Sequence, residues 1–184
     1  MPFDHFDLIA PLYNRAGGYS SLDGMMSAAD LPTNGLLLDA GGGTGRVAFA
    51  LRNQAAQVIV ADVSLGMLRF AASKPGLRAA AAQTERLPFP DNSFDRVIMV
   101  DAFHHVVDQA GTARELFRVL KAGGRIVIEE PDIRSFGVKM VALGEKMLLM
   151  RSHFLAPDQI AALFDSGDAR VIAKDSSAWI VVDK

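Results

Sequence analysis

The sequence predicts an α/β fold: a doubly wound, mostly parallel sheet with helices on both faces and an antiparallel strand near one edge. Three observations predict it. Short apolar, β-branched runs alternate with stretches of helical periodicity, the pattern of βαβ units. Those runs are almost continuously apolar, so both faces of the strands are covered. The chain then closes on "DARVIAKDSSAWIVVDK", two β runs around the polar turn Lys174 to Ser177, which reads as a hairpin and makes at least one strand antiparallel to its neighbour.

The elements follow in order. Phe3, Phe6, Leu8, Ile9, Leu12 and Tyr13 fall mostly at helical spacing and predict a short amphipathic helix over residues 3–15. "AGGYSSLDGMMSAADLPTNG" is turn-rich with room for one short helix. "GLLLDA" reads as a strand and "GRVAFALRNQ" as a helix; "QVIVADV" is again a strand and "LGMLRFAASK" a helix. "GLRAAAA" is a weaker strand, followed by the loop "QTERLPFPDNS". "FDRVIMVD" is a strand, "TARELFRVLKAGG" a helix stopped by Gly123 and Gly124, and "RIVIEEPD" a strand. "FGVKMVALGEKMLLMR" carries a stripe of Phe136, Met140, Leu143, Met147 and Met150, with Val138, Val141, Leu148 and Leu149 on other faces. A helix apolar on more than one side is covered on more than one side, by core and a dimer contact or by an apolar substrate under a Met-rich lid.

Composition narrows the function classes. At 184 residues the chain suits one domain. A net charge of -2 offers no electrostatic case for binding a nucleic-acid backbone or an anionic membrane. The absence of Cys removes disulfides, thiolate catalysis and Cys-ligated zinc or iron–sulfur sites, and suits a cytoplasmic protein. The opening "MPFDHFDLIAPLYNRAGG" has no continuous apolar leader core, and no apolar run approaches the ~20 residues of a membrane-spanning helix. A metal site is conceivable from the His and acidic residues, but no i, i+4 pair of histidines supports one.

The chemistry is concentrated in Asp39-Ala40-Gly41-Gly42-Gly43-Thr44-Gly45, directly after the first strand. In open α/β sheets ligands bind at the carboxyl ends of strands, and glycines there let a ligand lie against bare backbone. A tight turn alone needs fewer glycines than these four. A dinucleotide fingerprint G-x-G-x-x-G started from Gly41 would need glycine where Arg46 stands, so the pattern is D-x-G-x-G-x-G instead. Asp62 ends the second strand, where a carboxylate is placed to accept both ribose hydroxyls of a nucleoside. Ser64 is the natural N-cap of the following helix, which leaves Asp62 for that role.

"LLLDAGGGTGR", "VIVADVS", "LPFPDNSFDRVIMVDAFHHV" and "LKAGGRIVIEEPD" together resemble the ordered motifs of class I S-adenosylmethionine (SAM)-dependent methyltransferases, most closely the ubiquinone and menaquinone biosynthesis C-methyltransferase group, across residues 36–132. The N-terminal "FDLIAPLYNRA" resembles that group's opening helix. The resemblance implies a Rossmann-like seven-stranded sheet with an antiparallel C-terminal strand. It implies one domain, with a helical cap at 1–34, a cofactor-binding core at 35–132, and substrate-side helices with the hairpin at 133–184. The cofactor would be SAM, with S-adenosylhomocysteine as product. Asp39, Gly41, Gly43 and Gly45 would surround its methionine and ribose portion and Asp62 would hold the ribose. Val63 and Met67 would pack on adenine, with Gln83 and Thr84 at its edge. Gln83 departs from the Asp common in the family and offers donor and acceptor without charge assistance. Asp101 would lie near the methionine amino group, and Tyr13 would close over the cofactor or anchor its helix.

Methyl transfer from a sulfonium needs alignment above all, and a base only when the nucleophile is a neutral hydroxyl or enol carbon. Candidates for such a group are His104, His105, Glu130 and His153; Glu129 and Asp132 also end the fifth strand, though Glu129 and Glu130 face opposite sides. The expected function is methylation, at carbon or oxygen, of a small apolar or aromatic molecule. The alternative is a protein of this fold that binds SAM or its product without catalysis. No nucleic-acid partner and no integral membrane segment are expected, and a homodimer is compatible with the apolar 136–151 stretch.

Overall fold

A computed structural model describes residues 19, 21–135, 153–165, 167–174 and 177–184. The expected helix over residues 3–15, Tyr13 and the Met-rich stripe from Phe136 to Met150 lie outside the described residues.

The described chain runs α1 (Leu22–Ala28), β1 (Leu36–Ala40), α2 (Arg46–Ala50), β2 (Gln57–Asp62), α3 (Leu65–Ala72), β3 (Leu77–Ala81), β4 (Phe94–Val100), a 3-10 turn (Phe103–His105), α4 (Gln109–Val119), β5 (Leu120–Pro131), α5 (Pro157–Ala161), β6 (Asp168–Lys174) and β7 (Ser177–Asp183). The seven strands form one sheet in the order β3-β2-β1-β4-β5-β7-β6. All neighbours are parallel except at β7, which runs antiparallel between β5 and β6. The expected antiparallel strand is thus one place in from the edge, and the doubly wound class holds.

Side chains of successive strand residues point to opposite faces. Because both faces are apolar, the alternation builds two cores. Leu37, Ile98, Val127 and Val181 join Met25 of α1, Val47 of α2 and Leu68 of α3 on one side. Leu38, Val97, Ile126 and Ile180 join Leu116 of α4 and Ile160 of α5 on the other. Gly24 brings α1 down onto Trp179 of β7: a Cβ at that position would lie 2.0 Å from the indole Cη2. Gly24→Ala is therefore expected to destabilise by roughly 1–3 kcal/mol through overpacking, despite the better helix propensity of Ala. Urea unfolding should show a lower midpoint at unchanged slope.

The end of α4 corrects the sequence expectation. The helix stops at Val119, and Gly123 and Gly124 belong to β5. Leu120 is already extended and pairs with Phe94, both of them buried. The terminal helix carbonyls are closed from elsewhere in the chain: Asn92 N–H donates to Arg118 O (3.0 Å) and Ser93 N–H to Val119 O (2.8 Å). With those carbonyls satisfied, no glycine stop is needed. Gly123, at φ +75°, instead serves the irregularity in β5 that shifts its register against β4 between Phe94 and Arg96. β6 reaches Lys174, which pairs with Ser177 at the start of β7, in keeping with the expected hairpin.

Candidate active site

The strand order reverses between β1 and β4, and the loops after these two strands part around a cavity of about 570 Å³. The glycine loop forms one wall. Gly43 adopts φ +54° and donates its N–H to Asp62 Oδ2 at 2.8 Å, while Asp62 Oδ1 accepts from Ser64 N–H at 2.8 Å. The acid at the end of β2 therefore ties the β1 loop to the start of α3. Ser64 caps α3, its hydroxyl accepting from Met67 N–H at 3.3 Å. Gly45 is different. It caps α2 at φ +72°, and a Cβ there would lie 2.9 Å from Leu77 Cδ1, so it packs beneath the loop and does not line the cavity. Gly42 has its own steric reason, since a Cβ would fall 2.5 Å from the carboxyl carbon of Asp39.

Asp39 is buried and lines the cavity. Its Oδ2 accepts from Ala48 N–H at 3.2 Å, and its Oδ1 has no partner among the described residues. Burial pushes its carboxyl up to about 7; the negative charge of Asp62 adds to this, and the Ala48 N–H and Arg46 oppose it.

The loops after β4 and β5 form the other wall. Asp101, at φ +51°, is open to the cavity, yet desolvation by the surrounding protein raises its carboxyl pKa, with Glu130 and Glu129 adding repulsion. Glu129 accepts from the Tyr19 hydroxyl, and Arg46 lies over the Tyr19 ring at 5.8 Å. Burial and that carboxylate hold the Tyr19 phenol above its usual range. Glu130 is buried on the opposite face of the strand: its Oε1 accepts from Ala102 N–H (2.9 Å) and Phe103 N–H (2.8 Å), and its Oε2 lies 2.6 Å from His104 Nδ1. His104 lines the cavity and stacks on Phe154, with ring centroids 4.4 Å apart. Asp132 pairs with Arg134, which holds its carboxyl below the usual range.

The structure thus brings Asp39, Gly41, Gly43, Asp62, Val63, Met67, Gln83, Thr84, Asp101, His104 and His105 to one cavity. Glu130 stands behind the wall, and His153 is exposed, joined to the site through its backbone N–H to His104 O (2.7 Å). Thr84 shares its hydroxyl with Thr112 at 3.2 Å. Sequence reasoning missed Arg46, Glu85 and Phe154 on the wall and Tyr19 beside it. Arg46 follows the last glycine directly and was open to the same argument; Phe154 and Tyr19 reach the site only through the fold. Among the described residues, no three His, Asp or Glu side chains gather as a metal site, and no helix is long and apolar enough to cross a membrane.

A family model described as "Methyltransferase domain" matches residues 38–128. The demethylmenaquinone methyltransferase of Thermobifida fusca is 35% identical over 138 residues, covering 68% of this chain and 58% of that protein. The ubiquinone/menaquinone biosynthesis C-methyltransferase of Coxiella burnetii is 29% identical over 201 residues, covering 90% and 80%. A SAM-dependent methyltransferase structure from Thermotoga maritima superposes with a TM-score of 0.78 at 22% identity, covering 96% of this chain and 97% of that one, which shows the shared fold. This chain spans about half the length of several curated relatives, with shares of 58%, 53% and 46% for three of them. The matched domain and the sheet order agree: residues 38–128 form a domain of the methyltransferase-domain family, on the fold that the Thermotoga maritima structure shares.

Proposed function

We propose that this protein transfers the methyl group of SAM to a small apolar or aromatic acceptor, at carbon or oxygen. The observation that carries the proposal is the joint between Asp62 and Gly43, which sets a strand-end carboxylate beside bare backbone on the cavity wall. The residues fit the cofactor. Asp62, Glu85 and Asp101 outnumber Arg46 on that wall, a field suited to a ligand carrying a sulfonium and an ammonium group. The Asp39 Oδ1 lacks a donor among the described residues, and Gly43, where a Cβ would meet nothing nearer than 3.9 Å, leaves room at the wall.

In this proposal Asp62 holds the ribose, Gly41 and Gly43 the methionine stretch, and Asp101 the amino group. Val63 and Met67 flank adenine, with Gln83 and Thr84 at its edge. Gly45 shapes the loop from below. Bound there, SAM supplies an electrophilic methyl group on a ready leaving group. The protein's part is to align the acceptor and keep water out. Met99, Val106, Val107 and Phe154 give the acceptor side an apolar lining. The names of the curated relatives point to electron-rich quinols as the first acceptors to try. The division into a cap at 1–34, a core at 35–132 and a substrate side at 133–184 belongs to the same proposal, as does a cytoplasmic setting, which suits the Cys-free composition.

Titration calorimetry with SAM and S-adenosylhomocysteine, followed by mass spectrometry over quinols, phenols and enols, tests it. Binding together with a product 14 Da heavier is expected. No binding at millimolar ligand would end the proposal, and binding with no product across the panel would favour the non-catalytic alternative.

A further inference from the structure

Glu130 and His104 form a buried pair whose arrangement exceeds what packing requires. The carboxylate accepts two backbone N–H groups on one oxygen and the imidazole on the other, so it is fastened to the turn it supports. Glu130 is 3% exposed and His104 5%. Burying a carboxylate costs several kcal/mol unless charge-assisted bonds compensate, and an apolar pair would fill the same space without that cost. The imidazole plane is held as well. Phe154 stacks on it with only 12° between the rings, and His105 lies 4.0 Å away at 49°. Of the two, His104 lines the cavity and Glu130 does not. Among the described residues, Asp101 and His105 on the same loop and Glu130 on β5 are charged or titratable neighbours of the imidazole.

We propose that His104 accepts a proton from a hydroxyl of the methyl acceptor and that Glu130 is its positioning residue. This rests on the methyl-transfer reading above and deepens it. A carboxylate on Nδ1 selects the tautomer with the proton on Nδ1, which puts the basic lone pair on Nε2, and it stabilises the imidazolium once formed. The acceptor class is then a phenol, enol or quinol whose hydroxyl must be ionised, in place of a neutral amine that is already nucleophilic. The O–H bond breaks, its electron pair stays with the acceptor, and the proton moves to Nε2 and on to solvent. The anion attacks the methyl carbon through oxygen or through the ring carbon it activates, and the pair of the broken C–S bond leaves on sulfur as a thioether. A carbon-methylated ring sheds its own proton to recover aromaticity.

Glu130→Gln tests the assignment, because an amide can keep the contacts to Ala102 and Phe103 while presenting a donor to Nδ1 and inverting the tautomer. Nitrogen-15 NMR of the wild-type protein, with no ligand added, should show His104 protonated on Nδ1, and E130Q should move that proton to Nε2. In turnover, E130Q and His104→Ala should each lose roughly 100-fold or more in kcat on a phenol of ordinary acidity, with KM within threefold. On an acidic phenol already ionised at the assay pH, the loss should be less than tenfold. S-adenosylhomocysteine affinity should be unchanged in both variants. A wild-type His104 protonated on Nε2 overturns the proposal with no substrate in hand, also where E130Q fails to fold. Equal losses on both phenols overturn it too. Failure of the wild-type protein to bind S-adenosylhomocysteine would instead break the methyl-transfer reading.

Discussion

Asp62→Ala is expected to lower SAM and S-adenosylhomocysteine affinity by roughly a hundredfold or more, on the proposal that its carboxylate holds the ribose. Charge-assisted hydrogen bonds contribute about 1.5–3 kcal/mol each, so losing those to two ribose hydroxyls already accounts for that factor. The structure adds a second cost. The same carboxylate fixes Gly43 through one oxygen and Ser64 through the other, so its removal also releases the loop on which the cofactor would lie. The fold itself should survive, because Asp62 is only half-buried and Ser64 still caps α3. Asp62→Asn separates the two effects, since its amide oxygen keeps one anchor while the charge is lost. Calorimetric affinities for wild type, D62N and D62A should descend in that order, at closely similar Tm. Unchanged affinity in D62A would remove the ribose assignment.

Asp39→Asn flattens the dependence of stability on pH between about 4 and 7 and makes the protein more stable than wild type at pH 8. The folded carboxyl titrates near 7 against 3.8 for the free group, chiefly because it is buried. Between those values the native state holds a proton that the unfolded chain has lost, so this group's contribution falls as pH rises through the window. The full swing is on the order of 4 kcal/mol, set by about 1.36 kcal/mol per pKa unit. Asp95, Glu115, Asp132 and Asp183 have depressed values and act with the opposite sign, losing stability as pH falls through their folded pKa, below the window where Asp39 acts. Asp101, raised in the native state, adds to the Asp39 slope and remains in the variant. The amide oxygen of Asn can still accept from Ala48 N–H, so the packing is kept. Urea unfolding of both proteins at pH 5, 6.5 and 8 reads the effect. A stability difference that does not grow with pH would show that Asp39 is ionised throughout.

The fold was legible because each strand announces itself locally. Leu36–Ala40, Gln57–Asp62 and Phe94–Val100 are short, largely apolar runs bounded by polar or glycine-rich turns, and burial on both faces keeps most of their central residues apolar. Gly123 misled because a positive φ serves a helix stop and a strand irregularity equally well. The groups that close α4 come from Asn92 and Ser93, just before the neighbouring strand β4, and from the side chain of Lys184, distant in sequence where no local signal reaches. The site divides in the same way. The glycine loop and Asp62 could be read because motif spacing encodes them. The pairing of His104 with Glu130 depends on β4 and β5 lying side by side with Val100 opposite Glu129. The bond from Tyr19 to Glu129 joins positions 110 residues apart. Asp39 stood out as a motif residue, but its perturbed carboxyl follows chiefly from burial in the folded structure, with the Asp62 charge adding to it.

The bonds from Asp62 to Gly43 and Ser64 also bear on how binding is divided between entropy and enthalpy. A glycine-rich loop that ordered only around its ligand would lose backbone freedom at that moment, at about 1–2 kcal/mol per residue. Here the carboxylate has already settled the conformation on both sides of the cradle, so that loss falls during folding and not during association. Cofactor exchange can then proceed against a preorganised wall, with turnover free of a loop-ordering step on this side of the cavity.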